Sequence, residues 1–168
     1  MEIEDIRQII LYEVDDINDV ENLCYSDKTF YRLCSKKFWK DWYHKHQLDF
    51  PHHLNTTQEF IAEYKLIMER KSQVNDMIKD MVFGNKNQKL YFQQTNNFIL
   101  LGDPLNDSEL IDFLKGKDWV NVYIYYKDEF YIVYQYHVNY TKIIVDEETI
   151  SQYLFNVLTK GIVPKKLN

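Results

Sequence analysis

The chain is poor in the residues that most often interrupt or staple a fold. It has two cysteines, three prolines, four glycines and, in Ala62, one alanine among 168 residues. Two cysteines cannot make the disulfide framework of a small secreted domain. Cys24 and Cys34 both fall on apolar helical positions, and helical cysteines ten apart meet only across a particular tight turn. They read as small buried apolar residues in a reducing compartment. Few prolines and glycines, with no low-complexity tract, exclude long disorder. No stretch approaches the roughly 20 apolar residues of a membrane span. Acids appear at once in the opening residues, so no signal peptide is expected. These absences predict an intracellular protein, cytoplasmic or nuclear. Reaction motifs are missing as well: no Gly-rich phosphate loop, no Gly-x-Ser-x-Gly elbow, no paired-cysteine zinc spacing and no histidine–glutamate metal helix. The sequence therefore predicts no enzyme, no cofactor and no metal.

What is present is apolar and aromatic. Hydrophobic residues make up 45% of the chain and aromatics 16%, enough for a real core in one domain or two small ones. The net charge of −6 is unevenly spread. Nine acids stand against Arg7 alone from Met1 to Asp27, and six bases against Asp41 alone from Lys28 to His46. Such polarity suits protein partners better than a nucleic-acid backbone. The scarcity of alanine beside abundant Ile, Lys, Asn, Tyr and Phe is the coding bias of an AT-rich genome and carries no chemistry.

The stretch Val20–Trp39 organises the first third. Its apolar residues fall at Val20, Leu23 and Cys24, then Phe30, Leu33 and Cys34, then Phe38 and Trp39, with helical spacing within each set. Tyr25-Ser26-Asp27-Lys28 turns the corner between two short helices, and Ser26 or Asp27 can cap the second. A helix over Ile3–Val14 precedes them, with Ile3, Ile6, Ile10 and Val14 as its stripe, widened by Ile9 and Leu11. A further helix runs from Lys36 to about Leu48 and stops before Asp49-Phe50-Pro51.

This pattern resembles an F-box-like domain, the helical module by which proteins dock on the small adaptor subunit of cullin-type ubiquitin ligases. The resemblance rests on Ile6, Ile10 and Val14, on Asp19-Val20 and Asn22-Leu23-Cys24, on Lys28 and Phe30, on Leu33-Cys34 and on Phe38-Trp39. It looks most like the divergent F-box-like proteins of large DNA viruses, and covers a quarter to a third of the chain. The family's opening Leu-Pro, on its adaptor-contacting side, is Glu2-Ile3-Glu4 here. The resemblance implies that Ile6, Ile10, Leu23, Phe30, Leu33 and Trp39 form or sustain a docking surface for a ligase subunit.

His44, His46, His52 and His53 lie within ten residues. His44 and His46 point to different sides of a helix and the other two follow a proline, which is the wrong spacing for a metal site. Thr56-x-x-Glu59 is a capping box that opens a connecting helix carrying Phe60, Ile61, Tyr64, Ile67 and Met68, then Val74, Met77, Ile78, Met81 and Val82. Its methionines fill core or form an adaptable groove. The helix is continuous over about 25 residues or broken near Ser72, and Gly84-Asn85 ends it as a left-handed cap.

The periodicity then changes to that of strands. Short strands are expected over Lys89–Gln94 and Asn97–Leu101, then a helix capped by Asn106 or Asp107 with Leu110, Ile111, Phe113 and Leu114 inward. Trp119–Val138 alternates strongly on both sides of Lys127-Asp128-Glu129 and reads as a hairpin; Lys142–Val145 adds a third strand. Asp146 caps a last helix with Ile150, Tyr153, Leu154, Val157 and Leu158. The fold class expected is α+β: an F-box-like helical unit over 1–54, a connecting helix over 55–83, and over 84–168 a small antiparallel sheet with packed helices.

Tyr123, Tyr125, Tyr131, Tyr134 and Tyr136 lie on adjacent strands of that sheet. Tyr123, Tyr125, Tyr134 and Tyr136 are the candidate target-binding residues, since tyrosine offers large area with a polar tip. Stacking of single-stranded nucleic acid on such tyrosines is the other use. Against it, ten acids outnumber eight bases from Lys89 to Asn168. The leading expectation is a non-enzymatic protein-interaction adaptor with protein partners and no membrane. A structural or self-associating viral protein, in which the F-box-like helices are simply core, is the alternative.

Overall fold

The computed structural model describes residues 2–85, 87–95 and 108–168. In chain order they form α1 (Ile3–Glu13), α2 (Ile17–Cys24), α3 (Lys28–Leu33), α4 (Lys36–Lys45), α5 (Thr57–Phe83), β1 (Lys89–Thr95), α6 (Ser108–Leu114), β2 (Trp119–Lys127), β3 (Glu129–Tyr136), β4 (Asn139–Val145), α7 (Glu147–Thr159) and β5 (Lys165–Leu167). Helices first and an antiparallel sheet after them make the α+β class the alternation predicts. None of the described helices is long and apolar enough to cross a membrane. The chain divides into two compact units, Met1–Glu69 and Arg70–Asn168.

In the first unit each short helix starts on a side-chain cap that satisfies otherwise orphaned amides. The Asp16 carboxylate accepts from the Asn18 and Asp19 amides, and the Ser35 hydroxyl from that of Phe38. Of the two candidate caps at the α2–α3 corner, Asp27 performs the work, accepting from the Thr29 and Phe30 amides at 2.8 and 2.9 Å. The Ser26 hydroxyl instead donates back to the Leu23 carbonyl. The capping box at α5 is formed in full: the Glu59 amide donates to the Thr56 hydroxyl, and the Thr56 amide to the Glu59 carboxylate. α4 ends sooner than its apolar pattern suggests. Gln47 takes φ 57°, and the Leu48 amide turns back to the Tyr43 carbonyl at 2.9 Å, closing the last turn.

These helices enclose a core of Leu11, Val20, Phe30, Phe38, Trp39, Trp42, Tyr43, Phe60, Ile61 and Tyr64. The rings meet edge to face or stacked, as with Phe38–Trp39 at 5.0 Å and Trp39–Phe60 at 5.9 Å. The polar tips of Trp39 and Tyr43 are satisfied from inside, whereas the buried Trp42 indole N–H has no hydrogen-bond partner among the described residues. The Thr57 hydroxyl accepts from the Trp39 indole at 3.3 Å and donates to the Cys34 carbonyl at 3.0 Å. The Tyr43 hydroxyl donates to the Phe60 carbonyl at 2.8 Å.

Cys24 and Cys34 are joined in a disulfide, which corrects the reading of two free buried thiols. Cys24 ends α2 and Cys34 is the C-cap of α3. The corner between the helices doubles the chain back until their Cα atoms are 5.8 Å apart, within the span that a disulfide bridges. Burial was anticipated and holds; the pairing depends on that corner's geometry.

α5 is a single helix of 27 residues with no break at Ser72. Met81 is core, Met77 is partly buried and Met68 is exposed. The units part within this helix rather than at its end, because Val74, Ile78 and Met81 belong to the second core. Gly84 does not take the left-handed conformation expected of it. Glycine is needed there for room instead: a Cβ would come within 2.3 Å of the Asp80 carbonyl oxygen.

The second unit is a five-stranded antiparallel sheet in the order β4-β3-β2-β1-β5. Val120, Val122 and Ile124 alternate inward from β2, and Phe130, Ile132 and Tyr134 from β3. They are covered by Val74, Ile78 and Met81 of α5, Leu110 and Leu114 of α6, and Ile150, Tyr153, Leu154, Val157 and Leu158 of α7. Asp128, at φ 64°, makes the tight turn between β2 and β3. The Asp146 carboxylate caps α7, accepting from the Thr149 amide at 2.7 Å, and Gly161 follows it at φ 77°. The strand expected over 97–101 and the cap at Asn106 or Asp107 lie outside the described residues. β5, which the sequence reading lacks, pairs with β1 through Lys165, Lys166 and Leu167.

Candidate interaction surfaces

The six residues that the resemblance singles out are divided by the structure between inside and outside. Trp39 is fully buried and Phe30 nearly so. Leu23 and Leu33 are half-buried against the same core. These four sustain the helical unit, and Trp39 cannot itself touch a partner. Ile6 and Ile10 are 45% exposed each, and Ile3 and Ile9 more so, at 73% and 53%. The isoleucines of the α1 stripe therefore face out, while its Leu11 and Val14 pack inward. Leu11 is the one buried residue of α1, helped by half-buried Tyr12 and Val14. Arg7 helps to hold the helix in place, with its guanidinium 5.4 Å from the Phe30 ring centroid and 3.4 Å from the Asp27 carboxylate.

At the α2–α3 corner a shallow depression of about 720 Å³ is lined by Cys24, Tyr25, Asp27, Lys28, Tyr31 and Arg32. Tyr25 and Tyr31 are both half-exposed, with their rings 6.2 Å apart. Amide hydrogen bonds from Phe30 and Thr29, with Arg7 close by, hold the Asp27 carboxyl below the usual carboxylate range. The corner therefore keeps its anionic cap at neutral pH.

The second surface is the open face of the sheet. Directly opposed residues share a face, so the register sorts the side chains. Tyr123 faces Tyr91 and Val133, and Tyr125 faces Tyr131, while Tyr140 and Lys142 face Gln135 and Val133. Tyr134 belongs to the opposite, inward set and is fully buried, so it is not a target-binding residue. Tyr136 shares the inward parity and packs against the core near the strand end. The pleat is the cause: β2 and β3 pair about Asp128, so odd-numbered residues face odd-numbered ones. The open face carries Tyr91, Tyr123, Tyr125 and Tyr131, each half-buried, and exposed Tyr140.

The Tyr125 and Tyr131 rings stack at 5.1 Å, and Tyr91 and Tyr123 meet at 5.2 Å. The Lys142 ammonium lies 4.1 Å from the Tyr131 centroid and 5.7 Å from that of Tyr125, and Lys89 lies 5.2 Å from Tyr125. The Tyr91 hydroxyl donates to the Asn121 amide oxygen at 3.0 Å. A shallow hollow of about 340 Å³ is bounded by Lys89, Tyr123, Tyr125, Val133, Gln135 and Tyr140. Sequence alternation held the signal for this face: residues equidistant from Asp128 oppose one another, which separates Tyr125 and Tyr131 from Tyr134.

The histidines do not converge. His46 lies against Trp42 and Tyr64, with its Nδ1 3.3 Å from the Tyr64 hydroxyl, while His52 packs edge-on against Phe50. Among the described residues no three histidine, cysteine or carboxylate side chains gather into a metal-binding group. No family model, curated protein or solved structure matches this chain.

Proposed function

We propose that this chain is a non-enzymatic protein-interaction adaptor, intracellular, whose helical first unit is the docking head. The observation that supports it is the isoleucine row of α1. Ile3, Ile6, Ile9 and Ile10 stand exposed on one helix side while the core beneath is closed by other residues. An exposed contiguous apolar row is costly in water unless a partner covers it. The F-box-like pattern supplies the partner class, the adaptor subunit of a cullin-type ubiquitin ligase. The Cys24–Cys34 bridge is the observation that counts against a reducing compartment, where such bonds are rare.

The test is titration of the purified ligase adaptor subunit against the wild-type chain and an Ile6→Asp, Ile10→Asp variant. Both positions are exposed, so the variant keeps its thermal midpoint. Binding by wild type and loss of at least tenfold in the variant are the expected result. No wild-type binding, or equal binding by the variant, sinks the ligase reading. The same row would also bury itself on a second copy of the chain. Light scattering showing a dimer that the variant abolishes would favour the self-associating alternative.

A further inference from the structure

We propose that the open sheet face of the second unit binds single-stranded nucleic acid, independently of the docking role of the first. By composition the C-terminal half looks wrong for an anionic ligand. The strand register changes that judgement, because it segregates charge by face.

Lys89 shares a face with Tyr91, since both alternate with buried Leu90 on β1. Lys165 opposes Tyr91 across the β1–β5 pair, and Lys142 opposes Val133 across the β3–β4 pair. Lys127 and Glu129 face each other at the hairpin end. The described strands thus bring Lys89, Lys127, Lys142 and Lys165 to this face against one acid, Glu129, at its margin. Lys166, one residue out of phase with Lys165, is instead turned to the helical side and paired with Asp80. A net-acidic chain therefore presents a locally cationic surface.

Five tyrosines are interleaved with those lysines. Base stacking on aromatic rings tolerates any sequence, and lysines alongside neutralise phosphates. Lys142 and Lys89 lie over ring faces in the free protein, so a base that stacks on Tyr131 or Tyr125 displaces an ammonium, which then turns aside to the phosphate. Lys165 on β5 and Lys142 on β4 lie on the two edge strands of the five. Four strand spacings separate those edges by about 19 Å, a span for roughly four nucleotides. The hollow between Lys89 and Tyr140 offers one base a seat beside the Gln135 amide. An acidic protein segment would use the same lysines and bury the same rings; lysines spread over four of the five strands suit the regular charge of a phosphate backbone, which is why nucleic acid is favoured.

The experiment is fluorescence anisotropy of the full chain with labelled fifteen-residue dT and rU oligonucleotides. A labelled polyglutamate peptide and a DNA duplex serve as controls. The expected result is binding of a single strand that weakens about 20- to 50-fold between 50 and 200 mM salt, the slope for three to four released counterions. Lys89→Gln with Lys142→Gln changes only exposed residues and should lower that log–log slope by about 1.4. Tyr131→Leu should weaken binding at least fivefold at unchanged thermal midpoint. No single-strand binding at 50 mM salt overturns the proposal, as does binding that neither variant alters. Polyglutamate binding as tight as the oligonucleotides would assign the face to acidic proteins and overturn it too.

Discussion

At the scale of single residues, the first unit depends on Thr57, a threonine with no sequence signal of its own beside the capping Thr56. Thr57 is buried, and its one hydroxyl satisfies two groups at once, the Trp39 indole N–H and the Cys34 carbonyl. Thr57→Val keeps the shape and removes both partners, leaving a buried donor and acceptor unpaired. The expected cost is about 1–3 kcal/mol, read from the urea midpoint, with Thr57→Ser recovering most of it. An unchanged midpoint would mean that other groups take over. Caps were legible one residue at a time, since Asp27, Thr56, Glu59 and Asp146 act within three residues of where they stand. Thr57 was not, because its partners lie 18 and 23 residues away.

At the scale of elements, periodicity located most helices and strands but not always the side they turn inward. α1 shows why. Its isoleucines are the stronger apolar pattern, yet burial falls on Leu11 at the stripe's margin, with half-buried Tyr12 beside it and Val14 at the C-cap. An unpartnered stripe and a core stripe look alike in a sequence. β5 was missed because its only support is a pairing with β1, remote in the chain, and because Lys-Lys-Leu has no strand signature. The α2–α3 corner is stapled by the disulfide, which closes a loop of ten residues. A Cys24→Ala, Cys34→Ala variant should lose about 3 kcal/mol of unfolding free energy, since the open loop regains freedom in the unfolded chain. Urea denaturation measures it; equal stability would show the corner to be held by its caps and rings alone.

At the scale of the whole molecule, the groups that titrate on the acid side pull stability in one direction, while the buried Tyr43 and Tyr64, raised chiefly by desolvation, withdraw stability only at strongly alkaline pH. Burial pushes the His46 imidazole below its ordinary value of 6.5, with Lys45 adding to the effect and Asp15 opposing it. The unfolded chain therefore takes up that proton first, and stability is lost as pH falls through about 6.5. Asp27, Glu59 and Asp146 are held below their usual values by the hydrogen bonds that cap their helices, and Asp15 by Lys45. Their contribution is complete above about pH 4.5 and is lost below it. The thermal midpoint should thus be level from pH 7 to about 9 and fall in two stages on acidification. His46→Gln should remove only the first. Net charge, the coarsest quantity in the sequence, proved the poorest guide: a total of −6 conceals an open sheet face on which lysines outnumber acids four to one.

The bridge between Cys24 and Cys34 has a topological consequence. It encloses Lys28 and Arg32, both exposed basic residues, within a covalent ring. A trypsin-like protease that nicks the chain beside either one leaves the two pieces tethered, and only a reductant lets them part.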